Sequence, residues 1–416
     1  MRLVCWLLCL GLVGCASNGC EPSERAAAQS ERVVLRATHR LGVPMHPAEG
    51  SSTMSGRLPD GAEVLVLRWG EGRRWLEVRA DDGTRGWIVR RYLRRADAPV
   101  PEPSAPDVFA SLAECEAVLA SRSRAAPSGP RIASWNVRWF PDGSLHGPGD
   151  RATDVPLLAC AIASLDVDVV ALQEIMLHER GVQAMRQLVS ALDRRTGGRW
   201  RAHFDTCPRD GRQHVGWLVN EAHVRADAPR QLDALNPVGG CRHRLRPGLA
   251  IYLRFTNGPD LHAIVLHLDS GVEDRDFQHR GQSLAALEGA ISRLRPRDAD
   301  VLVMGDLNTM GRRAPAVAAS DELADHDATL AGLTPALRRV ASDEPCTEFY
   351  RRRGGSLDHA LVTVAMVELP DGRVAEVAGA CARYHCRLPR GVHPSSLEHL
   401  SDHCPIVVQL DAEDRD

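Results

Sequence analysis

A series of six short polar motifs, each ending or following an apolar run, most limits what this chain can fold into. In order they read Ala133-Ser134-Trp135-Asn136, Val169-Val170-Ala171-Leu172-Gln173-Glu174, Val265-Leu266-His267-Leu268, Val301-Leu302-Val303-Met304-Gly305-Asp306-Leu307-Asn308, Ser356-Leu357-Asp358-His359 and Ser401-Asp402-His403. A short continuous apolar run reads as a strand buried on both faces. Helical patterns separate the runs. Asp154 can cap a helix carrying Val155, Leu158, Ile162 and Leu165, and Val182, Met185, Leu188, Val189 and Leu192 mark another that stops at Gly197-Gly198. Phe277, Leu284, Leu287, Ile291 and Leu294 mark a third. Strands are also expected near 214–219, 249–255, 262–268, 358–363 and 405–410. Few helices for so many strands predict two packed sheets with helices outside and strand tips converging on one site.

At 416 residues the chain exceeds one ordinary domain, and its 44% hydrophobic content suffices for a sizeable core, so two domains are expected. The formal charge of -3 excludes a globally basic nucleic-acid binder, and any affinity for phosphate must come from local clusters. Lysine is absent, all 51 basic residues being Arg, which removes Schiff-base lysines, lysyl-nucleotidyl intermediates and lysine-containing phosphate loops.

Arg2 is followed by an apolar stretch from Leu3 to Val13. This is far short of the roughly 20 residues that span a bilayer, and it fits a secretory signal better than a transmembrane helix. Leu12-Val13-Gly14-Cys15 resembles the lipobox of bacterial lipoproteins. The resemblance implies cleavage before Cys15 and a diacylglyceryl anchor on its sulfur. Ala16 follows in place of the Asp that marks inner-membrane retention, which favours an outer-membrane address; plain secretion is the other reading.

Twelve cysteines fit an exported protein, where disulfides persist. Without Cys5, Cys9 and Cys15 the remainder are Cys20, Cys115, Cys160, Cys207, Cys241, Cys346, Cys381, Cys386 and Cys404, an odd set that leaves at least one unpaired. No paired C-x-x-C spacing favours zinc. Cys381 with Cys386, and Cys207 with Cys241, are candidate pairs, with the connectivity open, and Cys160 within its helical pattern reads as a buried thiol.

Residues 15–30 read as a tether after a signal peptide at 1–14. Residues 31–95 hold alternating runs such as Ala62-Glu63-Val64-Leu65-Val66-Leu67 and Trp75-Leu76-Glu77-Val78-Arg79, punctuated by Asp-Gly turns, the pattern of antiparallel hairpins. Their order, with Gly86-Trp87-Ile88 and Tyr92-Leu93 near the end, resembles a bacterial Src-homology-3-like domain, a small all-β barrel. That resemblance implies a ligand in the cell wall; a spacer role stands beside it, and Leu41-Gly42-Val43-Pro44-Met45-His46 departs from the usual pattern. A Pro-rich linker at 96–130, weakly helical from Ser104 to Leu119, precedes a domain at 131–411.

Within that domain Glu174 ends a strongly apolar strand, where a carboxylate suits a hard, oxygen-preferring ion such as Mg²⁺, with Mn²⁺ and Ca²⁺ as the other candidates. Asp306 and Asn308 stand two apart, so in an extended chain both side chains point to the same face. One carboxylate and one amide there can hold an attacking water and a phosphate, and Gly305 permits close backbone approach. Each motif alone also has a plain structural reading as a turn or a solvated strand end.

Together, and in this order, the six motifs make the region 131–410 resemble the endonuclease/exonuclease/phosphatase superfamily, whose DNase I-like members fold as a four-layered α/β sandwich. The resemblance implies a metal-dependent hydrolase of phosphodiesters. It implies that Asn136 and Asp402 join Glu174 at the metal, that Asp306 orients the nucleophile and that Asn308 positions the phosphate. It makes His403 a general base or a charged phosphate ligand, oriented by Asp358, and gives His267 a phosphate contact and a proton to donate. Arg246 resembles a phosphate-clamping arginine, and Arg242, Arg244 and Arg351-Arg352-Arg353 could add a basic rim. Where the family often has His-Leu-Lys-Ser-Gly, this chain has His267-Leu268-Asp269-Ser270-Gly271, losing one positive charge. DNA is the expected substrate, cleaved by a lipid-anchored or secreted monomer. Sphingomyelin-like headgroups or inositol phosphates are the alternative substrates, and an inactive cell-wall-binding lipoprotein is the alternative class.

Overall fold

The computed structural model describes residues 34–37, most of 43–95, 107–121, 129–144 and, apart from short breaks, 151–415. The signal, the tether and Cys15 lie outside the described residues, as do Cys20, Tyr92 and the proline-rich stretch 99–106. The chain divides into two compact units, Met1–Ala98 and Pro99–Asp416.

The first unit is β-rich. Five strands pair in the order Arg85–Val89, Trp75–Ala80, Glu63–Trp69, Val34–Ala37 and Leu93–Arg95, and Val43–Met45 pairs with Gly56–Leu58. Alternation along Trp75–Ala80 sends Leu76 and Val78 into a small core with Val43, Met45, Val64 and Ile88.

The second unit is a four-layered sandwich. One seven-stranded sheet runs Trp200–Phe204, Gln213–Asn220, Val169–Met176, Arg131–Phe140, Ile406–Gln409, Val374–Val377, Ala341–Ser342. The other runs Val224–Ala226, Gly248–Phe255, Asp260–His267, Val301–Asp306, Asp358–Thr363, Leu337–Arg339, with Arg230–Leu232 beside Gly248–Phe255. The apolar runs are buried on both faces, as two covered sheets require. Val169, Ala171, Ala263, Val265, Leu302 and Met304 meet between the sheets. Their alternating neighbours Val170 and Leu172 pack under the helices Val155–Ser164 and Glu179–Thr196, while Ile264, Leu266, Val301 and Val303 pack under Asp274–Ala285 and Leu287–Ser292. Trp217 of the first sheet donates its indole N–H to the Leu249 carbonyl of the second at 3.0 Å, so the dry interior also carries a satisfied polar tie.

Helix boundaries follow local chemistry. Asp154 Oδ1 accepts from Leu157 N at 3.0 Å, and Gly197 ends its helix at φ 67°. The expected helix through Phe277 and Leu294 is two helices broken at Ala286, whose N–H returns to Gln282 and Leu284 carbonyls.

Two cysteine expectations are corrected. Cys160 is no free thiol but bridges Cys115 on the helix Leu112–Ser121, so this part of the expected linker is stapled onto the sandwich. Cys381 pairs with Cys404, and Cys386 with Cys346, instead of with each other, because Cys381 begins its contact at the helix Gly379–Arg383 facing the last strand while Cys386 lies beyond it, in a left-handed turn. Cys207–Cys241 is as expected.

Candidate active site

Three neighbouring strands of the second sheet end together. His267 stands opposite Asp306 across a parallel ladder, and Asp306 opposite Asp358 across an antiparallel one. The approach of the first two strands demands glycine at 305: at φ 149° a Cβ there would lie 2.0 Å from the Leu266 carbonyl oxygen. In the other sheet Asn136 faces Gln173 in register, and Glu174 follows. Between Asn136 and Phe140 that register shifts, and Arg138 and Trp139 take φ of 36° and 48°. Glu174, at φ 63°, and Asn308, at φ 50°, share this left-handed backbone, a strain that structures retain mainly at functional positions.

The side chains converge. Asn136 Nδ2 donates to Asp306 Oδ2 at 2.9 Å and to Glu174 Oε1 at 3.2 Å, while its Oδ1 accepts from Arg138 N at 3.0 Å. Glu174 Oε2 accepts from Trp139 N at 2.9 Å. His267 Nε2 lies 3.4 Å from Asp306 Oδ2 and 3.9 Å from Glu174 Oε1. His403 Nδ1 meets Asp358 Oδ2 at 2.8 Å, which leaves Nε2 facing Asp306 Oδ2 at 3.8 Å. The Asp358 end of this dyad is fixed in turn, since its N–H and that of Leu357 both donate to Thr347 Oγ1.

Asp306 and Asn308 do not share an extended face as expected. The strand ends at Asp306, and the left-handed turn lets Asn308 N donate to Asp306 Oδ1 at 2.9 Å while Asn308 Nδ2 reaches Leu268 O at 3.1 Å. Arg246 reaches the same carbonyl through Nη2 at 3.2 Å and Gln213 Oε1 through Nη1, so the turn and the arginine flank one spot. Arg246 Nε is buried and has no partner among the described residues, which leaves one charged donor over. Asp402 lies at the margin, with Oδ1 4.0 Å from Arg138 Nη1. Of the basic rim, Arg352 is turned to the carbonyls of Leu388 and Val392, and Arg351 lies outside the described residues.

Electrostatics follow from burying so many charges together. Desolvation pushes Asp306 up to about 7, against the lowering influence of His403, and raises Glu174 in the same way. Burial would lower His403, but the charges of Asp358 and Asp306 outweigh it and hold the imidazole well above its usual range. His267, desolvated and near Arg246 and His403, sits well below it. The site thus brings together an imidazole that favours its charged form and one that favours its neutral form.

These donors fit a hard divalent cation. Asp306, Asp358 and His403 each offer a ligand atom within 4.8 Å of the others, Asp358 Oδ1 is buried without a partner among the described residues, and Asn136 links the carboxylates of Glu174 and Asp306. Since Asp358 and His403 are bonded to each other, Glu174, tied to Asp306 through Asn136, is the residue that would hold the ion, with Asp306 facing it.

Three participants carried no sequence signal. Arg138 is buried and donates to the carbonyls of Leu397, Glu398 and Arg151, which ties the Asn136 bulge to the Asp402 loop. Thr347 supports Asp358. Glu348 pairs through its backbone with His403, and burial raises its carboxyl to about 8. A Cβ at Gly355 would come 2.9 Å from Glu348 Oε2, so that glycine makes room for the acid.

The profile of the Endonuclease/Exonuclease/phosphatase family matches residues 133–403, and the chain belongs to that family. It is a hydrolase acting on phosphoester bonds. Solved structures similar to it include D. rerio TDP2 humanized by 14 mutations, at 20% identity and a TM-score of 0.47, with 68% of this chain and 99% of that one covered. The human Nocturnin catalytic domain with bound sulfate is similar at 15% identity and a TM-score of 0.43, covering 67% of this chain and 93% of its own. An endonuclease/exonuclease/phosphatase from Bacteroides vulgatus is similar at 16% identity and a TM-score of 0.45, covering 69% and 100%. No curated protein matches the sequence.

Proposed function

We propose that the chain is an exported endonuclease that hydrolyses DNA phosphodiesters by in-line attack of water, with Glu174 as the residue that would hold Mg²⁺. The observation that carries this reading is the meeting, at one end of the sandwich, of the Asn136-linked carboxylates with Arg246 and with the His403–Asp358 dyad, whose Nε2 lies 3.8 Å from Asp306 Oδ2. The ion would supply Lewis acidity toward a phosphoryl oxygen. Asp306, whose burial suits it to take a proton near neutral pH, orients the attacking water and receives that proton. His403, held charged by Asp358, would face the phosphoryl oxygens as a cation and give its Nε2 proton to the oxygen released as the P–O bond breaks, and Asp306 opposite Nε2 can return the proton taken from water. Arg246 and Asn308 fix the phosphate beside Leu268, and neutral His267 hydrogen-bonds it. Export and a lipid anchor at Cys15 are read from the apolar leader, and four disulfides suit the same setting.

The test is plasmid nicking. Protein starting at Ser30 is incubated with supercoiled DNA and Mg²⁺, beside EDTA and His403→Ala controls. Nicking abolished by both supports the reading. Intact plasmid throughout overturns it and sends the search to RNA, sphingomyelin and inositol phosphates.

A further inference from the structure

Beside the candidate phosphate site lies a cavity of about 450 Å³ that the chemistry above does not use, lined by Val238, Arg244, Leu245, Asp269, Arg275 and His279. One wall is the loop leading into Arg246, and it is tied down at several points. Cys241 is bridged to Cys207, and Asn236 Nδ2 donates to the carbonyls of Gly240, Arg242 and Leu245 at 2.7, 3.2 and 3.3 Å. Arg246 Nη1 itself donates to Arg244 O at 2.9 Å, so the wall and the phosphate clamp are one piece. A surface loop fixed this thoroughly offers its side chains at little entropic cost to a ligand.

The opposite wall explains the departure at Asp269. Where a lysine would have added charge, the Asp269 carboxylate accepts from His279 Nδ1 at 2.7 Å, and its backbone carbonyl is held by buried Arg280. The acid is spent on orienting an imidazole. Cationic character enters from Arg244 and from Arg275, whose Nη2 also rests on Asp276 Oδ1 at 3.1 Å, and the cavity is lined by these two guanidiniums, one oriented histidine and the apolar Val238 and Leu245. Such a lining disfavours a quaternary ammonium headgroup and suits an anion joined to a ring.

Building on the phosphodiesterase reading above, we propose that this cavity is the subsite for the nucleotide adjoining the scissile phosphate, with Arg244 and Arg275 holding its second phosphate and Val238 and Leu245 against its sugar and base. The substrate class is then a phosphodiester flanked by a further phosphate along a nucleic-acid strand.

The experiment compares kcat/KM for thymidine dinucleotide with that for the same dinucleotide carrying an added 5′- or 3′-terminal phosphate. Wild type is expected to favour one phosphorylated form by about tenfold, chiefly through KM and less so at high salt. In Arg244→Ala/Arg275→Ala the ratio falls to near one, and Arg244→Lys restores part of it. Because the readout is a ratio within one protein, poor folding does not imitate the result. Equal rates on all three substrates by wild type, or a ratio kept by the double variant, overturn the subsite and leave the phosphodiesterase reading standing. Failure of wild type on every dinucleotide and on plasmid overturns both.

Discussion

The two sheets bring the same kinds of residues to the site and hold them by opposite means. In the sheet with His267, Asp306 and Asp358, three strand ends lie in unbroken register, and all three side chains are buried. Position there comes from ladder hydrogen bonds and from a glycine that lets two backbones close together. In the sheet with Asn136 and Glu174 the ladder breaks, left-handed residues follow, and side chains such as Asn136 and Arg138 replace the lost backbone bonds. One half is rigid because it is regular, and the other is placed by accumulated strain. The lesson is that a single site can be made precise by ladder bonds on one side and by side-chain bonds around left-handed backbone on the other.

That contrast can be broken by mutation. Asp306→Asn, in the regular half, should keep the fold and lower kcat by about 10³-fold, measured on plasmid or dinucleotide; a loss under tenfold would remove Asp306 from the chemistry. Gly305→Ala should lower stability by about 3 kcal/mol, since its Cβ meets the Leu266 carbonyl at left-hand φ, and denaturant melts would read this directly. Glu174→Gly, in the strained half, should change stability by less than about 1 kcal/mol, relief of φ 63° offsetting the acceptors lost to Asn136 and Trp139, while abolishing metal-dependent activity, and a loss as large as that of Gly305→Ala would refute the contrast. The smallest effect concerns pH. Asp358 helps hold His403 charged, so removing its charge in Asp358→Asn lowers the His403 pKa and should move the alkaline, falling limb of kcat/KM to lower pH. An unmoved limb would mean that this limb reports another group.

The same contrast explains what the amino-acid pattern could tell. The regular half was legible: apolar runs such as Val301–Met304 predict strands, and their first polar residues mark the site. Asp154 and Gly197 announced their helices through capping chemistry. The bulge at Arg138 was not legible, because left-handed residues other than glycine leave no mark in composition. Glu348 was hidden because an acid on a short strand looks like any solvated one until Gly355 makes its slot. Cysteine pairing was misread at Cys381 because nearness along a chain says little once a helix turns one sulfur toward a strand and the next away from it. The break at Ala286 leaves the apolar periodicity intact on both sides and so gives no warning.

The short segment holding Cys381 and Cys386 has a further consequence. It is bonded at one point to Cys404, immediately after His403, and at the other to Cys346, immediately before Thr347. The segment that bears His403 and the one whose Thr347 accepts from the Asp358 N–H are therefore fastened to the same few residues, by bridges each of which stabilises the fold by roughly 3 to 4 kcal/mol through restriction of the unfolded chain. Reducing these two bridges would therefore loosen the histidine and the threonine that seats its aspartate together, and loss of activity under a reductant is the readout expected of this corner.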